Sequence, residues 1–375
     1  MMNHQLKREK PLFVQQLIPS KMAGLSLIEL MIAMLLGIIL TLGATQVYLG
    51  TSQSYRLTDA IAHGQENIRF VSSMMQRDVR SAGGLACLQS AGEVDDKLNL
   101  ARVVPVGDGV LGWEAAGTGI GAAYNAVDSV AAGSGDWTEG SGAGTFPVEI
   151  TGEVVKATDV LIVNSVQTLP VDVTGSTAAQ INLGAASGLP EGQVVLAVTD
   201  DCSAGELFQN TATDGDSSVS IAGGASAPGN AAPASFDLAY GTEARIASYS
   251  TVAYYIGVRN DASGNSTPVL YRQRLDARAE GPQELVAGVE SMQILYGLSS
   301  GVLKRADSYT TADNVTSWED VVSVRVAFVV RSENGANSEK LQRVFNLLGT
   351  EVTTLEDRRA RLVATSTIGL RNRLE

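Results

Sequence analysis

The chain has 375 residues, with 27 Lys and Arg against 40 Asp and Glu and a net charge of −13. This length leaves room for one large β-rich domain together with a long helix. The acidic balance argues against direct nucleic-acid binding, because neutralising phosphates needs clustered Lys and Arg, and it favours a soluble, self-repelling surface.

The first 24 residues form a basic leader that ends in a small residue, Gly24. The charged residues of this leader are Lys7, Arg8, Glu9, Lys10 and Lys21. Removing residues 1–24 would therefore change the net charge from −13 to −16. An ordinary secretory signal carries its apolar core before the cleavage site, whereas here the apolar run follows Gly24. A cut after Gly24 would leave that run in the protein.

The run from Leu30 to Leu49 has no charged side chain. About 20 apolar residues match the thickness of a hydrocarbon core, so we predict one transmembrane helix, over residues 25–50. The basic residues on its N-terminal side predict that this end stays cytoplasmic and that residues beyond 50 lie on the outer face. Gly37 and Gly43 either soften the helix or allow close packing against another helix, and the sequence leaves both roles open.

Glu29 stands at the start of this apolar run. A helix N-terminus favours an anion, but a deprotonated carboxylate in lipid costs a few kcal/mol. One interpretation is a functional carboxylate that needs a partner. The other is a glutamate at the headgroup level of an ordinary signal anchor, and the charge alone does not decide between them.

The residues around Gly24 resemble the processing site of type IV pilins and pseudopilins. The matching segment is Gly24-Leu25-Ser26-Leu27-Ile28-Glu29-Leu30-Met31-Ile32-Ala33. The resemblance implies that a prepilin peptidase cleaves after Gly24 on the cytoplasmic side and that the new terminus, Leu25, is N-methylated. It also implies that Glu29 pairs with the terminal amine of a neighbouring subunit. The first mature residue is Leu25, where the family more commonly has Phe.

An apolar stripe at helical spacing continues beyond the membrane run and predicts an amphipathic helix over residues 51–82. The stripe consists of Leu57, Ile61, Gly64, Ile68, Val71, Met75, Val79 and Ala82. We expect the helix to end at Gly83-Gly84. The stripe either packs on the chain's own domain or contacts a partner. His63 lies between stripe positions and is expected to be a surface or structural residue.

Residues 103–146 are rich in Gly, Ala and Ser, and we interpret them as long loops with Trp113 and Trp137 as isolated aromatic residues. Gly117-Thr118-Gly119-Ile120-Gly121 superficially resembles a dinucleotide turn. No clear strand precedes it and no convincing helix or spaced acid follows, so we expect no nucleotide and no other cofactor.

Short β-branched runs separated by turn signals follow and predict a predominantly antiparallel β body over residues 83–375. The runs are Val148 to Val155, Asp159 to Val166, Gln193 to Thr199, Ile246 to Val258, Val269 to Leu275, Val321 to Arg331 and Leu362 to Leu370. Residues 260–265 read as a hairpin connection, and Gly223 to Pro233 as a loop. The predicted fold class is α+β: a long N-terminal helix packed on a large antiparallel β-rich domain.

Several segments are similar to the PilW-type minor pilins of type IV pilus assembly. They are residues 53–57, 65–70, Cys87, 198–202, 207–209, 268–272, 285–297 and 368–373. This resemblance, like that of the processing site, implies a type IV pilin-like fold. By cysteine count alone, Cys87 and Cys202 are either paired or two buried thiols. The family setting implies that they form a disulfide in a periplasmic domain.

The resemblance implies a structural subunit of the pilus or its initiation complex that supports pilus biogenesis, twitching motility and adhesion. Its partners would be other minor pilins, the major pilin, the prepilin peptidase and the inner-membrane assembly machinery. The protein would sit in the inner membrane with one span and its body in the periplasm, and then in the pilus at the cell surface. Two alternatives remain: a minor pseudopilin of a type II secretion system, and a pilus-displayed adhesin that binds ligands through its glycine-rich loops.

Catalytic and metal sites are not expected. Beyond the membrane run His63 is the sole imidazole and no Gly-x-Ser-x-Gly elbow occurs, so the means to activate a nucleophile are missing, and zinc ligands are too few. Asp214-Gly215-Asp216 and Asp261 with Asn265 do not match a twelve-residue calcium loop and are interpreted as solvated acidic turns.

Overall fold

A long N-terminal helix is followed by a large β-rich body in the computed structural model, which describes residues 26–99, 106–140, 146–223, 228–262, 264–276, 281–301 and 304–374. Helix α1 spans Leu27–Arg80, and a short helix α2 spans Arg371–Leu374. The predicted combination of one long helix and a mostly antiparallel β body is confirmed. The predicted processing residues Gly24 and Leu25 lie outside the described residues.

The body contains strands that are short at its periphery and long at its centre. In chain order they are β1 Val94–Asp96, β2 Val110–Ala115, β3 Ala123–Asn125, β4 Trp137–Glu139, β5 Val160–Thr168, β6 Val173–Ser176, β7 Gln180–Leu183, β8 Val194–Val198, β9 Gly205–Gln209, β10 Ser218–Ser220, β11 Arg245–Asn260, β12 Ser266–Arg274, β13 Gln283–Ala287, β14 Val289–Leu298, β15 Ser308–Thr310, β16 Val321–Gly335, β17 Val344–Leu347, β18 Thr350–Thr353 and β19 Arg359–Gly369.

The chain divides into two compact units between Ser54 and Tyr55, within α1. In the first unit the described residues up to Gly50 are all exposed, including the large apolar side chains. Within the described residues, α1 is the one helix long and apolar enough to cross a membrane by length and composition. Its apolar window is unburied, which distinguishes it from the core helix of a soluble domain.

The second unit is built around the 16-residue strand β11. This strand pairs antiparallel with β5, β8 and β12 along different parts of its length, and so it joins a nine-stranded sheet. The neighbouring strand β8 is buried at every position. Such strands read as continuous apolar runs because both faces are covered.

A four-stranded sheet in the order β15-β14-β16-β19 faces the same core. Two three-stranded sheets, β10-β7-β6 and β17-β18-β3, complete the body. Among the described strands most pairings are antiparallel, and the two parallel ones join β1 to β9 and β18 to β3. The main core contains side chains of both large sheets together with Val71, Met75 and Val79 of α1.

Two expectations about local structure were wrong. Residues 103–146 do not form loops throughout, because β2, β3 and β4 lie there and Trp113 is 1% exposed. Both tryptophans pack against Phe146, so they are not isolated. The run Val148 to Val155 begins as a short 3-10 helix instead of a strand. The other six predicted runs each contain a strand, and residues 260–265 connect the β11–β12 hairpin.

Candidate functional site

Glu29 closes a capping arrangement at the first turn of α1. Its Oε2 accepts a hydrogen bond from the backbone N–H of Ser26 at 3.0 Å. The Ser26 hydroxyl in turn accepts from the N–H of Ile28 at 3.3 Å. Helix N-termini leave their first N–H groups without intrahelical partners, and a Ser with a carboxylate three residues later supplies such partners. Glu29 therefore has a local role that the sequence did not reveal, beside its predicted pairing role.

Two threonine hydroxyls in the apolar half of α1 donate to backbone carbonyls of the same helix. The Thr41 hydroxyl donates to the carbonyl of Gly37 at 2.6 Å, and the Thr45 hydroxyl donates to the carbonyl of Thr41 at 2.8 Å. This suits a bilayer core, where each unsatisfied polar group costs several kcal/mol. A Cβ added at Gly37 or Gly43 would meet nothing within 4 Å. These two glycines therefore present open helix surface.

Within the second unit, burial of the predicted stripe increases along α1. Leu57, Ile61, Gly64 and Ile68 are half-buried, whereas Val71, Met75, Val79 and Ala82 are buried. The stripe thus packs on the chain's own body, as one of the two open interpretations expected. The helix ends at Arg80, and Gly83 adopts a φ of +71°, a conformation that glycine reaches without a steric cost.

Asp78 makes a polar contact between this helix and the sheet. Its Oδ2 accepts from the Tyr254 hydroxyl at 2.6 Å and from Nε of Arg272 at 2.9 Å. The side chains of Asp78 and Arg272 are 17% and 23% exposed. Burial and the Asp78 carboxylate raise the pKa of Tyr254, so it stays a donor. Sequence reasoning missed Asp78, because its partners lie 176 and 194 residues away.

The C-terminal end of the chain returns to the end of α1. The side-chain amide of Asn372 donates to the carbonyls of Ser81 and Ala82 at 3.3 and 3.1 Å. Arg373 donates to the carbonyls of Glu319, at 3.1 Å, and Gly107. These carbonyls lie just beyond the last residue of α1, so this contact holds the segment that follows the helix on the body.

Cys87 and Cys202 form a disulfide, as the resemblance implied. It closes a loop between residues separated by 115 positions. Both cysteines pack against a small apolar core that includes Leu88, Val198 and Leu207. The bond therefore ties the segment that follows α1 to strands β8 and β9.

The remaining residues singled out from the sequence are accounted for by local contacts. His63 is exposed, with Nε2 3.6 Å from Asp59 Oδ1. Asp214 accepts from the N–H of Glu191 at 2.6 Å, and Asp261 accepts from Asn265 at 2.9 Å. Strand β2 ends just before the Gly117 turn, so the expectation that no strand precedes it was wrong, but the turn leads into strand β3 instead of a helix.

A cluster of three carboxylates, formed by Asp95, Glu206 and Asp237, was missed in the sequence. Their oxygens lie within 4.8 Å of one another. The ammonium of Lys97 lies 2.6, 3.2 and 2.5 Å from them, respectively. Burial alone would lower the pKa of Lys97, but its hydrogen bonds to these carboxylates raise it. The lysine supplies the positive charge that the cluster requires, so we assign the cluster to Lys97 rather than to a metal ion.

A second missed group consists of the buried carboxyls Glu114 and Asp159. The oxygens of Asp159 accept from the N–H groups of Ala115 and Ile294 at 3.1 and 2.8 Å. Glu114 Oε1 accepts from Thr118 at 3.1 Å, and its Oε2 has no partner within the described structure. Burial, then the nearby Asp159, raises the pKa of Glu114 to about 9, and burial raises that of Asp159 to about 7. Burial and the neighbouring carboxyl therefore favour the protonated form of Glu114.

Comparison with known proteins locates the resemblance in the second half of the body. No curated protein sequence matches the chain. A solved structure of a type IV-like pilin from Thermus thermophilus aligns with 13% identity and a TM-score of 0.21, covering 34% of this chain and 67% of the pilin. Residues 253–372, from β11 to Asn372, match the family described as Type IV Pilus-assembly protein W. This region, which contains Arg272 and Asn372, is therefore similar to the PilW family of type IV pilus assembly.

Proposed function

We propose that this protein is a minor pilin, cleaved after Gly24, methylated at Leu25 and built into a type IV pilus or its initiation complex through α1. The observation that carries the proposal is the difference in exposure between the two halves of this helix. Its first half exposes an apolar surface whose one charge among the described residues is Glu29. Its second half is held by Asp78 and the buried stripe. A helix that packs on its own body at one end and exposes an apolar surface at the other is suited to packing between subunits.

The bare half would reside in the inner membrane before assembly, with the β body in the periplasm. An apolar helix surface gains little from helix contact in lipid, so small residues and polar contacts determine which helices associate. Gly37 and Gly43 supply the small residues. Glu29 supplies a charge whose desolvation would be offset by a partner's cation.

The capping bond to Ser26 does not prevent this pairing. A carboxylate offers about four acceptor sites on two oxygens, and the capping bond uses Oε2. Glu29 Oε1 would accept from the methylated terminal amine of a neighbouring subunit. The carboxylate would then fix both the first turn of its own helix and the register of the next one.

A deletion strain separates this function from that of a type II secretion pseudopilin. We expect loss of surface pili and of twitching, with exoprotein secretion unchanged and with recovery on complementation. In complemented cells, the protein should be found in the membrane and in sheared pili. A secretion defect without a pilus defect would overturn the proposal.

A further inference from the structure

A cleft of about 720 Å³ opens beside α1 in the second unit. One wall is the part of the helix between residues 55 and 67. The other walls are residues 285–287 of β13 and residues 331–336 at the end of β16. Successive side chains of a strand point to opposite faces. Consecutive residues of each strand line the cleft, so the cleft cannot lie against one face of the sheet alone. We infer that the backbone edges of the two strands form these walls.

The edge of β13 is unpaired on this side. Among the described strands β13 pairs with β12 alone. On the other wall β16 pairs with β14 as far as Val330, and no described strand pairs with residues 332–334. There the Ser332 hydroxyl already donates to the carbonyl of Asn334 at 2.6 Å. Unpaired N–H and C=O groups along an edge are a template for another strand, and β13 is the freer of the two edges.

Arg331 is one of the residues that line the cleft, and one of its donors has no partner among the described residues. Its side chain is 3% exposed. Its Nη1 contacts Asp128 at 3.0 Å and Glu290 at 3.2 Å, and its Nη2 donates to the carbonyl of Ser266 at 3.5 Å. Its Nε is buried and has no hydrogen-bond partner among the described residues. A buried N–H left without an acceptor costs about 1–3 kcal/mol.

The length of β13 and the charges around the cleft indicate what kind of segment would bind there. A strand that pairs along the five residues of β13 is about 17 Å long. The walls include small apolar side chains, and the charges at the rim have both signs and do not favour either an acidic or a basic segment. The small residues are Ala60, Ala287 and Ala336, and the charged ones are Arg56, Asp59 and Glu333.

We propose that this cleft binds an extended, uncharged segment of another protein, which adds to the edge of β13 as an extra strand. Main-chain hydrogen bonds to β13 give the affinity in this mode of recognition, and side-chain pockets give the specificity. The site lies wholly in the second unit and uses neither Gly24 nor Glu29. Its failure and the failure of the proposed function are therefore distinguishable.

The test uses the full chain in detergent micelles and a blocked hexapeptide of alternating threonine and valine as the probe. We expect saturable binding by fluorescence anisotropy and slower amide hydrogen exchange at residues 283–287. Two further peptides carry N-methyl groups on the backbone nitrogens of either the odd-numbered or the even-numbered residues. One of them should bind at least tenfold more weakly than the unmethylated peptide and the other about as well, because alternate N–H groups face the paired strand. Equal binding of both methylated peptides, or no saturable binding, would overturn the proposal.

Two variants assign the site. Ala287→Arg should fill the cleft and weaken binding at least tenfold, whereas Thr365→Arg, at an exposed position on β19, should leave binding unchanged. Exchange protection on β19 instead of β13 would contradict the assignment. The chain could instead self-associate, and Ala287→Arg could abolish this self-association. That result would show that the cleft binds a second copy of the chain, and it would also overturn the proposal.

Discussion

Asp78 on helix α1 accepts a hydrogen bond from Nε of Arg272 on strand β12 at 2.9 Å, across 194 residues of sequence. This pair joins the helix proposed to enter the pilus to the family-matched part of the body. Any force on the helix would therefore reach the β body through this pair and the packed stripe.

Replacing Asp78 by Asn should destabilise the body by about 2 kcal/mol, because Arg272 would remain largely buried without its counter-charge. Urea unfolding of the full chain in detergent, followed by tryptophan fluorescence, measures this loss. Glu66→Gln is the matched control on the same helix. Glu66 pairs with Arg69 at an exposed position, so the midpoint should not move. Equal effects of the two variants would contradict the role of Asp78.

Removing the disulfide with Cys87→Ser and Cys202→Ser together should lower the free energy of unfolding by about 4 to 5 kcal/mol. The estimate follows from closing a loop of 115 residues in the unfolded chain. Unfolding of wild type with and without reductant provides the comparison. The double variant and the reduced wild type should agree, and a wild-type midpoint indifferent to reductant would contradict the prediction.

Glu114 and Asp159 should make stability fall as pH rises. Their folded pKa values of about 9 and about 7 lie above the ordinary 4.5 and 3.8, so the native state holds protons that the unfolded chain releases. Their contribution is complete below about pH 4 and is lost progressively up to about pH 9. Between pH 5 and 8 we expect a loss of several kcal/mol in the free energy of unfolding, because a difference of one pKa unit corresponds to about 1.4 kcal/mol.

The variant Glu114→Gln isolates this effect. Its stability should vary less steeply over that range than the wild type, since one titrating group is gone. Glu356→Gln, at an exposed position, should keep the wild-type slope. Identical slopes for wild type and Glu114→Gln, measured by chemical unfolding at each pH, would show that Glu114 is not held neutral.

Two substitutions at Glu29 separate its capping role from its charge. Gln can still accept from Ser26, as in a capping box, but it cannot neutralise an amine. If pairing matters, Glu29→Gln and Glu29→Ala should both be cleaved yet reduce incorporation into sheared pili by at least tenfold. If capping matters alone, Glu29→Gln should assemble normally, and that result would contradict the pairing role.

Local patterns in the sequence predicted the long helix, its stripe and six strand-containing runs, because periodicity and turn residues are short-range signals. The strand β2 was missed since all six of its residues are buried and show no alternation. Its Gly112 lies against the Tyr296 hydroxyl, where a Cβ would clash. Asp78 and the buried pair of Glu114 and Asp159 were missed for a different reason. Their roles depend on strands far away in the chain, which no local pattern specifies.

The central claim is that processing at Gly24 exposes the amine that Glu29 of a neighbouring subunit binds. Mass spectrometry of the N-terminal peptide of the protein purified from cells tests it most directly. We predict that the chain begins at Leu25, that its terminal amine carries one methyl group, and that a strain without prepilin peptidase retains residues 1–24. A mature protein that still carries this leader, or that begins at any other residue, would contradict the account.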